Sequence, residues 1–374
     1  MNERGSNKLI ELLKILMQKG GSDLHLIAGL KPAIRVDGVL NPLPDYDRLS
    51  PEEAKRLVYS ILTEKQKKSF ESHEEHRYEL DFSLGISRLG RFRFNVHKQR
   101  GTVAATIRAL ALKIPELDEL GLPKAVRVFT RAKKGLVLIT GPTGSGKSTT
   151  LAAMIEDINR SRHDHIITIE DPIEYLHNSK KSYVTQREVG LAGDTLSFKN
   201  ALKYALRQDP DVILIGEMRD YETMGIALTS AETGHLVFGT LHTSSAAKTI
   251  TRIIDVFPAE QQPQVRLQLA SNLLGIVSQI LLPRSDGPGR VLATELIFNN
   301  AAISNNIRNA NESGIYQTIQ TSRAKGMQTM DHSLIKLCSE GKIDFNIARP
   351  YITDSSTYRA LKKMSSKVSS SQQD

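Results

Sequence analysis

The chain has a single cysteine, Cys338, among its 374 residues. One thiol excludes an internal disulfide framework and a cysteine-clustered zinc site. Tryptophan is absent, aromatics make up only 5% of the residues, and no aromatic cluster suited to stacking on bases is evident. The formal charge of +9 permits contact with nucleic acid, acidic lipid or an acidic protein, and equally describes a plain solvated basic surface. Lacking a stacking platform, the chain is not expected to take nucleic acid as a partner. No stretch approaches the ~18 consecutive apolar residues of a membrane span. Residues 1–7 are polar and lack the apolar centre of a signal peptide, so a cytoplasmic protein is expected.

What is present centres on Gly141-Pro142-Thr143-Gly144-Ser145-Gly146-Lys147-Ser148. The apolar run Leu136-Val137-Leu138-Ile139 before it reads as a buried strand. Thr149-Thr150-Leu151-Ala152-Ala153-Met154-Ile155 after it reads as a helix. Strand, glycine loop and helix N-terminus together make a phosphate cradle, because glycine lets the backbone turn its N–H groups around an anion. In such a cradle Lys147 reaches the β- and γ-phosphates and the Ser148 hydroxyl holds Mg²⁺. The competing reading is a tight strand-to-helix turn that binds nothing. The chain has no Asn-Lys-x-Asp guanine box, since Asn7-Lys8 is followed by Leu9-Ile10, and this favours ATP over GTP.

In chain order, residues 7–19 have amphipathic helical spacing and end at Gly20-Gly21. Residues 24–26 and 34–36 read as strands, with Asp37-Gly38 as a hairpin turn. Ser50-Pro51-Glu52-Glu53 reads as a capping box with proline at the first helical position. Strands follow near 78–84, 91–96 and 103–109, so residues 1–112 form an α+β domain. Residues 113–123, with two prolines and three acidic side chains, read as a linker. The pattern then changes to strand–helix alternation. Residues 136–140, 166–169, 212–215 and 236–241 are short and almost continuously apolar, as parallel strands buried on both faces should be. Residues 265–282 show helical spacing, 291–298 read as a strand and 333–337 as a short helix. This second domain spans 124–364, and the serine-rich tail 365–374 has too little apolar surface to order itself.

Ligands of parallel sheets bind beyond the carboxyl ends of the strands. Four such ends are followed by polar groups: the glycine loop, Glu170-Asp171-Pro172-Ile173-Glu174, Gly216-Glu217-Met218-Arg219-Asp220 and His242-Thr243-Ser244. Hydrolysis of a nucleotide needs a carboxylate to polarise the attacking water. Gly216 occupies the usual place of a metal-holding Asp, and Asp211 lies ~20 Å back along the strand. Glu217 is therefore the first candidate, directly or through the metal shell, with Glu174 and Glu170 second. His242 is placed to sense the γ-phosphate. His235 starts the same strand, at its opposite end, and is as readily structural. Arg219 and Asp220 read as a mutual pair.

Several segments together resemble one family, the secretion and type IV pilus ATPases. Residues 206–220 are similar to its signature, Thr168-Ile169-Glu170-Asp171-Pro172-Ile173-Glu174 to its "Asp box", and the stretch from Thr233-Gly234-His235 to Leu241-His242-Thr243 to its "His box". Gly21-Ser22-Asp23-Leu24-His25-Leu26 and Met327-Gln328-Thr329-Met330-Asp331 resemble its retraction branch, and the likeness covers about residues 8–340. The resemblance implies an α/β fold in which a smaller α+β PAS-like N-terminal domain precedes a RecA-like P-loop ATPase domain. It implies a homohexameric motor, peripheral to the inner membrane, acting with ATP and Mg²⁺ on a pilus platform protein, with other pilus ATPases as further candidate partners. It implies Gly141, Pro142, Thr143, Gly144, Ser145, Gly146, Lys147, Ser148 and Thr149 on the nucleotide, Ser148 and Glu217 at the metal, and Glu217 and Glu174 as catalytic carboxylates. His235 and His242 are in support, and Arg93 and Arg108 reach across to the nucleotide. Two segments depart from the pattern. Gly190-Leu191-Ala192-Gly193 is about two residues longer than usual, and 302–309 matches the retraction branch only in part. Ala302, Ile303 and Ile307 there suggest a helical face that either couples to a partner or caps the core.

Overall fold

The computed structural model describes residues 3–36, 38–72, 78–87, 89–110, 113–190 and 193–370. The chain divides into two compact units. The first holds Met1–Lys113 with two later returns, Asp171–Leu176 and Arg187–Ser197; the second holds Ile114–Glu170, His177–Gln186 and Phe198–Asp374.

The first unit runs α1 (Glu3–Gln18), β1 (Asp23–Leu26), β2 (Ala33–Val36), β3 (Val39–Pro42), α2 (Pro51–Tyr59), α3 (Glu64–Glu71), β4 (Glu79–Ile86), β5 (Gly90–Gln99) and β6 (Thr102–Ala109). Its strands form one antiparallel sheet in the order β3-β2-β1-β6-β5-β4. Strand β5 shows why: Phe92, Phe94 and Val96 alternate with Arg91, Arg93 and Asn95, and the period of two sends the apolar set to one face. That face packs with Leu9, Leu12, Leu13 and Leu16 of α1 and with Leu57 and Phe70 of the next two helices. Strand β3, the second arm of the expected hairpin, had no bounds legible in the sequence, because all four of its residues are exposed and carry no core signal. Val36 pairs with Val39 across the expected hairpin turn, whose Asp37 lies outside the described residues. Ser50 accepts from Glu53 N at 3.1 Å, but the reciprocal bond of a capping box is missing, because the Glu53 carboxylate is taken by Lys8 at 3.0 Å. Glu188, 5% exposed, fastens the two returns to β4 and β5. It accepts from Ser83 N at 2.9 Å, Arg91 Nη2 at 2.8 Å and Ile173 N at 3.2 Å.

The second unit continues with α4 (Arg127–Arg131), β7 (Gly135–Thr140), α5 (Lys147–Ser161), β8 (His165–Glu170), β9 (Tyr183–Glu188), α6 (Phe198–Ala205), β10 (Val212–Ile215), α7 (Tyr221–Glu232), β11 (Leu236–Leu241), α8 (Ala246–Asp255), α9 (Gln262–Asn272), β12 (Leu273–Pro283) and β13 (Arg290–Phe298). It ends with α10 (Ala301–Arg308), α11 (Glu312–Thr321), α12 (Met330–Ser339), α13 (Phe345–Ala348) and α14 (Ser355–Ser370). The sheet order is β13-β12-β7-β11-β10-β8-β9. Strands β12, β7, β11, β10 and β8 are parallel neighbours, and β13 runs antiparallel to β12. Every residue of β7, β10 and β11 is buried, which is why their sequences are apolar throughout.

Three expectations need correction, and one pair of alternatives is decided. Residues 265–282 are not one helix: α9 ends at Asn272, and the run from Leu273 is a strand beside β7. The expected linker is packed, since Leu117 is buried with Phe129, Met154 and Ile155, and Asp118 pairs with Arg127 at 2.7 Å. The tail is helical to Ser370 as part of α14, which Leu361 anchors in the C-terminal core; residues 371–374 lie outside the described set. On α10, Ile303 and Ile307 are buried inside the chain, so that face caps the core and only Ala301, Ala302, Asn305 and Arg308 are exposed. Leu112, Leu191 and Ala192 are also outside the described residues.

One ion cluster fastens the far end of α5. Glu156 accepts from Lys180 Nζ, from Arg160 Nε at 3.0 Å and from Asn159 Nδ2 at 3.1 Å, and faces His177 Nδ1 at 3.4 Å. Burial alone would raise its pKa, yet these hydrogen bonds bring it from the ordinary 4.5 down to about 2. A depressed carboxylate contributes stability above its unfolded pKa and loses it as pH falls through the folded one. We expect Glu156→Gln to be about 2 kcal/mol less stable at neutral pH, because three donors lose a charged partner. The gap should close as pH falls from 4.5 towards about 2. Urea denaturation of both proteins at neutral pH and near pH 3 checks this; an equal gap at both contradicts it.

Candidate active site

The glycine loop joins the end of β7 to α5, whose N-cap is Gly146. Gly141, Gly144 and Gly146 have φ of 145°, 77° and 87°, a region that side chains disfavour. At Gly141 space is decisive as well: a Cβ would lie 2.2 Å from the Gln279 carbonyl oxygen. The loop therefore presents a bare backbone, with Pro142, Thr143 and Gly144 exposed and the first amides of α5 behind them. Lys147 Nζ lies across the loop, donating to Gly141 O at 2.8 Å and Pro142 O at 3.1 Å. Ser148 follows it in the first turn of the helix. This cradle fits a nucleotide polyphosphate: turned glycines, a helix N-terminus and one ammonium group.

Glu217 stands at the end of β10, two strands from β7. Its Oε2 accepts from Arg219 Nη2 at 2.7 Å, and its Oε1 lies 3.3 Å from His242 Nε2, at the end of β11. The Arg219 hydrogen bond chiefly, and the charges of Arg219, His242 and Lys147 after it, outweigh burial and hold this carboxyl below its ordinary range. Arg219 is thus the partner of Glu217 rather than of Asp220. Asp220 instead caps α7, accepting from Thr223 N at 2.7 Å. Gly216, where an Asp was looked for, has little room for a side chain: a Cβ there would meet Ile169 O at 3.1 Å and the Glu170 Cα at 3.2 Å on β8.

Lys147, Glu217 and His242 are therefore brought together at three adjacent strand ends, and other candidates are not. Glu170 is held along its own sheet by Thr168 Oγ1 at 2.6 Å and Gln186 Nε2 at 3.1 Å. Glu174 is exposed and belongs to the first unit, in Asp171–Leu176. His235 precedes β11 at the edge beside Gly135, about 20 Å along the strand from Leu241. Its Nδ1 lies 3.0 Å from Ser230 O, at the end of α7, which makes it a brace for that turn. Arg93 and Arg108 also lie in the first unit, directly opposite each other on β5 and β6. Arg108 pairs with Asp23 at 2.8 Å, and Arg93 stands 4.0 Å from Asp81. Among the described residues, no group of three or more His, Cys, Asp or Glu side chains is placed to hold a metal ion.

Gln279 was missed altogether. It lies in the stretch first read as helical, on β12, 1% exposed beneath the loop. The available signal was the polar pair Ser278-Gln279 inside an otherwise apolar run from Leu273 to Leu282. A pair like that in a buried strand needs partners. Ser278 Oγ finds Thr140 Oγ1 at 2.8 Å, and Gln279 finds the loop.

A phosphate cradle and an ionised carboxylate at neighbouring ends of a parallel sheet define a P-loop ATPase with a RecA-like core. Residues 8–336 match the family described as Type II/IV secretion system protein, and the chain belongs to that family. It is 48% identical over 341 residues to the type IV pilus retractation ATPase PilT of Pseudomonas aeruginosa, covering 91% of this chain and 97% of that one. To the type IV pilus ATPase PilU of the same organism it is 41% identical over 95% of this chain and 91% of the relative. A crystal structure of the pilus retraction motor PilT with bound ADP is 51% identical, with a TM-score of 0.86 over 93% of this chain and 97% of that one.

Proposed function

We propose that this chain is an ATP-hydrolysing motor for type IV pilus retraction, and hence for twitching motility. The observation that carries the reading is the likeness to a retraction ATPase over nearly the whole of both chains, with the loop, Glu217 and His242 assembled at the strand ends. The motor works as a homohexamer at the cytoplasmic face of the inner membrane, on a platform protein at the pilus base. Unlike faces on one chain suit head-to-tail contacts that close into a ring. Among the described residues no helix is long and apolar enough to cross a membrane, which agrees with a peripheral place.

ATP sits with its phosphates in the loop of residues 141–149. Lys147 exchanges loop carbonyls for phosphate oxygens, a stronger charge-assisted pairing. The Ser148 hydroxyl and the Glu217 carboxylate are the oxygen donors that would hold a Mg²⁺ ion, which would supply positive charge beside the phosphates. Glu217 orients and polarises the attacking water. Held low in pKa, it is ionised at neutral pH and acts through its charge and hydrogen bonding more than as a strong base. Arg219 fixes that carboxylate, and His242 stands beside it towards the γ-phosphate. Glu174 is the second catalytic carboxylate, and Arg93 and Arg108 bring fork-shaped positive charge to the phosphates. His235 supports the turn before β11 rather than the chemistry. The likeness to PilU supports a second reading, an accessory retraction ATPase of the same machine.

Deleting the gene in its host and counting surface pili tests the proposal. Retraction predicts excess pili with twitching lost, restored by the wild-type gene and not by the Lys147→Ala form. Cells without pili would point to extension instead, and unchanged piliation with normal twitching would refute a pilus role.

A further inference from the structure

We infer that Gln279 is a positioning residue for the nucleotide loop, and that its side-chain amide sets the orientation of the Ser145–Gly146 peptide. Three contacts converge on it. Gln279 Nε2 donates to Ser145 O at 2.7 Å. Its Oε1 accepts from Thr150 Oγ1, in the first turns of α5, at 3.0 Å. Its backbone oxygen lies directly beneath Gly141, where a Cβ would come within 2.2 Å. One buried residue on β12 thus touches the start of the loop, its inner peptide and the helix that follows.

The consequence comes from peptide geometry. In a planar trans peptide the C=O and the N–H point in opposite directions. Holding Ser145 O towards β12 therefore turns the Gly146 N–H the other way, out of the sheet and into the cradle. Glycines at 141, 144 and 146 make the neighbouring peptides easy to rotate, so an external tie is needed to select one orientation. Thr150 completes the device. Ser145 O can only accept and so takes Nε2, which leaves Oε1 for the Thr150 hydroxyl and fixes the amide against a flip. The partners are all buried: Ser145 and Thr150 are each 2% exposed. Water does not readily replace the tie.

The inference rests on residues 141–148 being the nucleotide loop, and Lys147→Ala is the control for that. Gln279→Leu keeps the volume and removes both side-chain hydrogen bonds. In the full-length protein we expect Kd for ADP and KM for ATP to rise about tenfold, because Ser145 O loses its buried donor and the peptide its orientation. The turnover number should fall by no more than about threefold, since the tie acts on bound substrate and transition state alike. Thermal stability without nucleotide should stay within a few degrees. Gln279→Glu, which keeps the acceptor for Thr150 but sets a carboxylate oxygen against Ser145 O, should lose as much affinity or more. If Gln279→Leu does not fold, Gln279→Glu decides by the same readouts. Unchanged Kd and KM in a folded variant, with Lys147→Ala weakened as expected, would overturn the inference alone, and so would a fall in stability with affinity intact. Nucleotide affinity left unchanged by Lys147→Ala would overturn the loop reading and this inference with it.

Discussion

Lys147→Ala is expected to abolish ATP hydrolysis and to weaken nucleotide binding by about 100-fold or more. The expectation follows from where the ammonium group lies. Lys147 Nζ spans the loop on the carbonyls of Gly141 and Pro142, at the mouth of a cradle built from backbone groups. Backbone amides carry only partial charges, whereas a polyphosphate brings several full ones, so a full positive charge provides a large share of the binding. Alanine removes it without disturbing the helix, because Ala suits a first helical turn as well as Lys does. Lys147 also helps hold Glu217 ionised, so its loss should move that carboxyl back towards its ordinary pKa. Calorimetric titration with ADP and a phosphate-release assay check both parts. Turnover within about tenfold of wild type would remove Lys147 from the mechanism.

The second large effect concerns Glu217. Glu217→Gln keeps size and hydrogen-bonding shape but cancels the charge that Arg219 and His242 face at 2.7 and 3.3 Å. Affinity for metal-free ADP should stay within about threefold, since without the cation the negative charge contributes nothing favourable to an anionic ligand, while turnover falls about 100-fold or more. The depressed pKa carries a pH prediction. Glu217 must be ionised to act, and its Arg219 hydrogen bond lowers the pKa from 4.5, so the acid limb of turnover should lie below pH 4.5. Single-turnover and steady-state rates across pH separate the two claims. A variant that binds and hydrolyses normally would shift the water-activating role to Glu174.

How much of this was legible before folding depends on whether a residue's role is local. The loop at 141–148 was readable because glycines, lysine and flanking apolar runs are contiguous. The parallel strands were readable because burial on both faces leaves an unbroken apolar mark at 136–140 or 212–215. Residues 265–282 misled, because helical spacing in Val265 and Leu269 runs directly into a strand whose β12–β7 pairing is non-local. Gln279 went with them, since its value lies in two partners 134 and 129 residues away. Arg219 was assigned to its chain neighbour when the chain actually turns it back onto Glu217. The returns at 171–176 and 187–197 left no local trace, because Glu188 meets Ser83 across 105 residues.

Those returns bear on how the gene can be divided. The first unit is assembled from three pieces of chain, so the backbone passes between units five times, after residues 113, 170, 176, 186 and 197. A fragment cut at the apparent boundary near residue 112 carries the whole six-stranded sheet and still lacks Glu188. Arg91 and the Ser83 amide would then lose a buried anionic partner, a loss that a sequence-based boundary does not reveal. The two units are folding neighbours by covalent necessity, and neither is a module that recombination could lift out at a single joint.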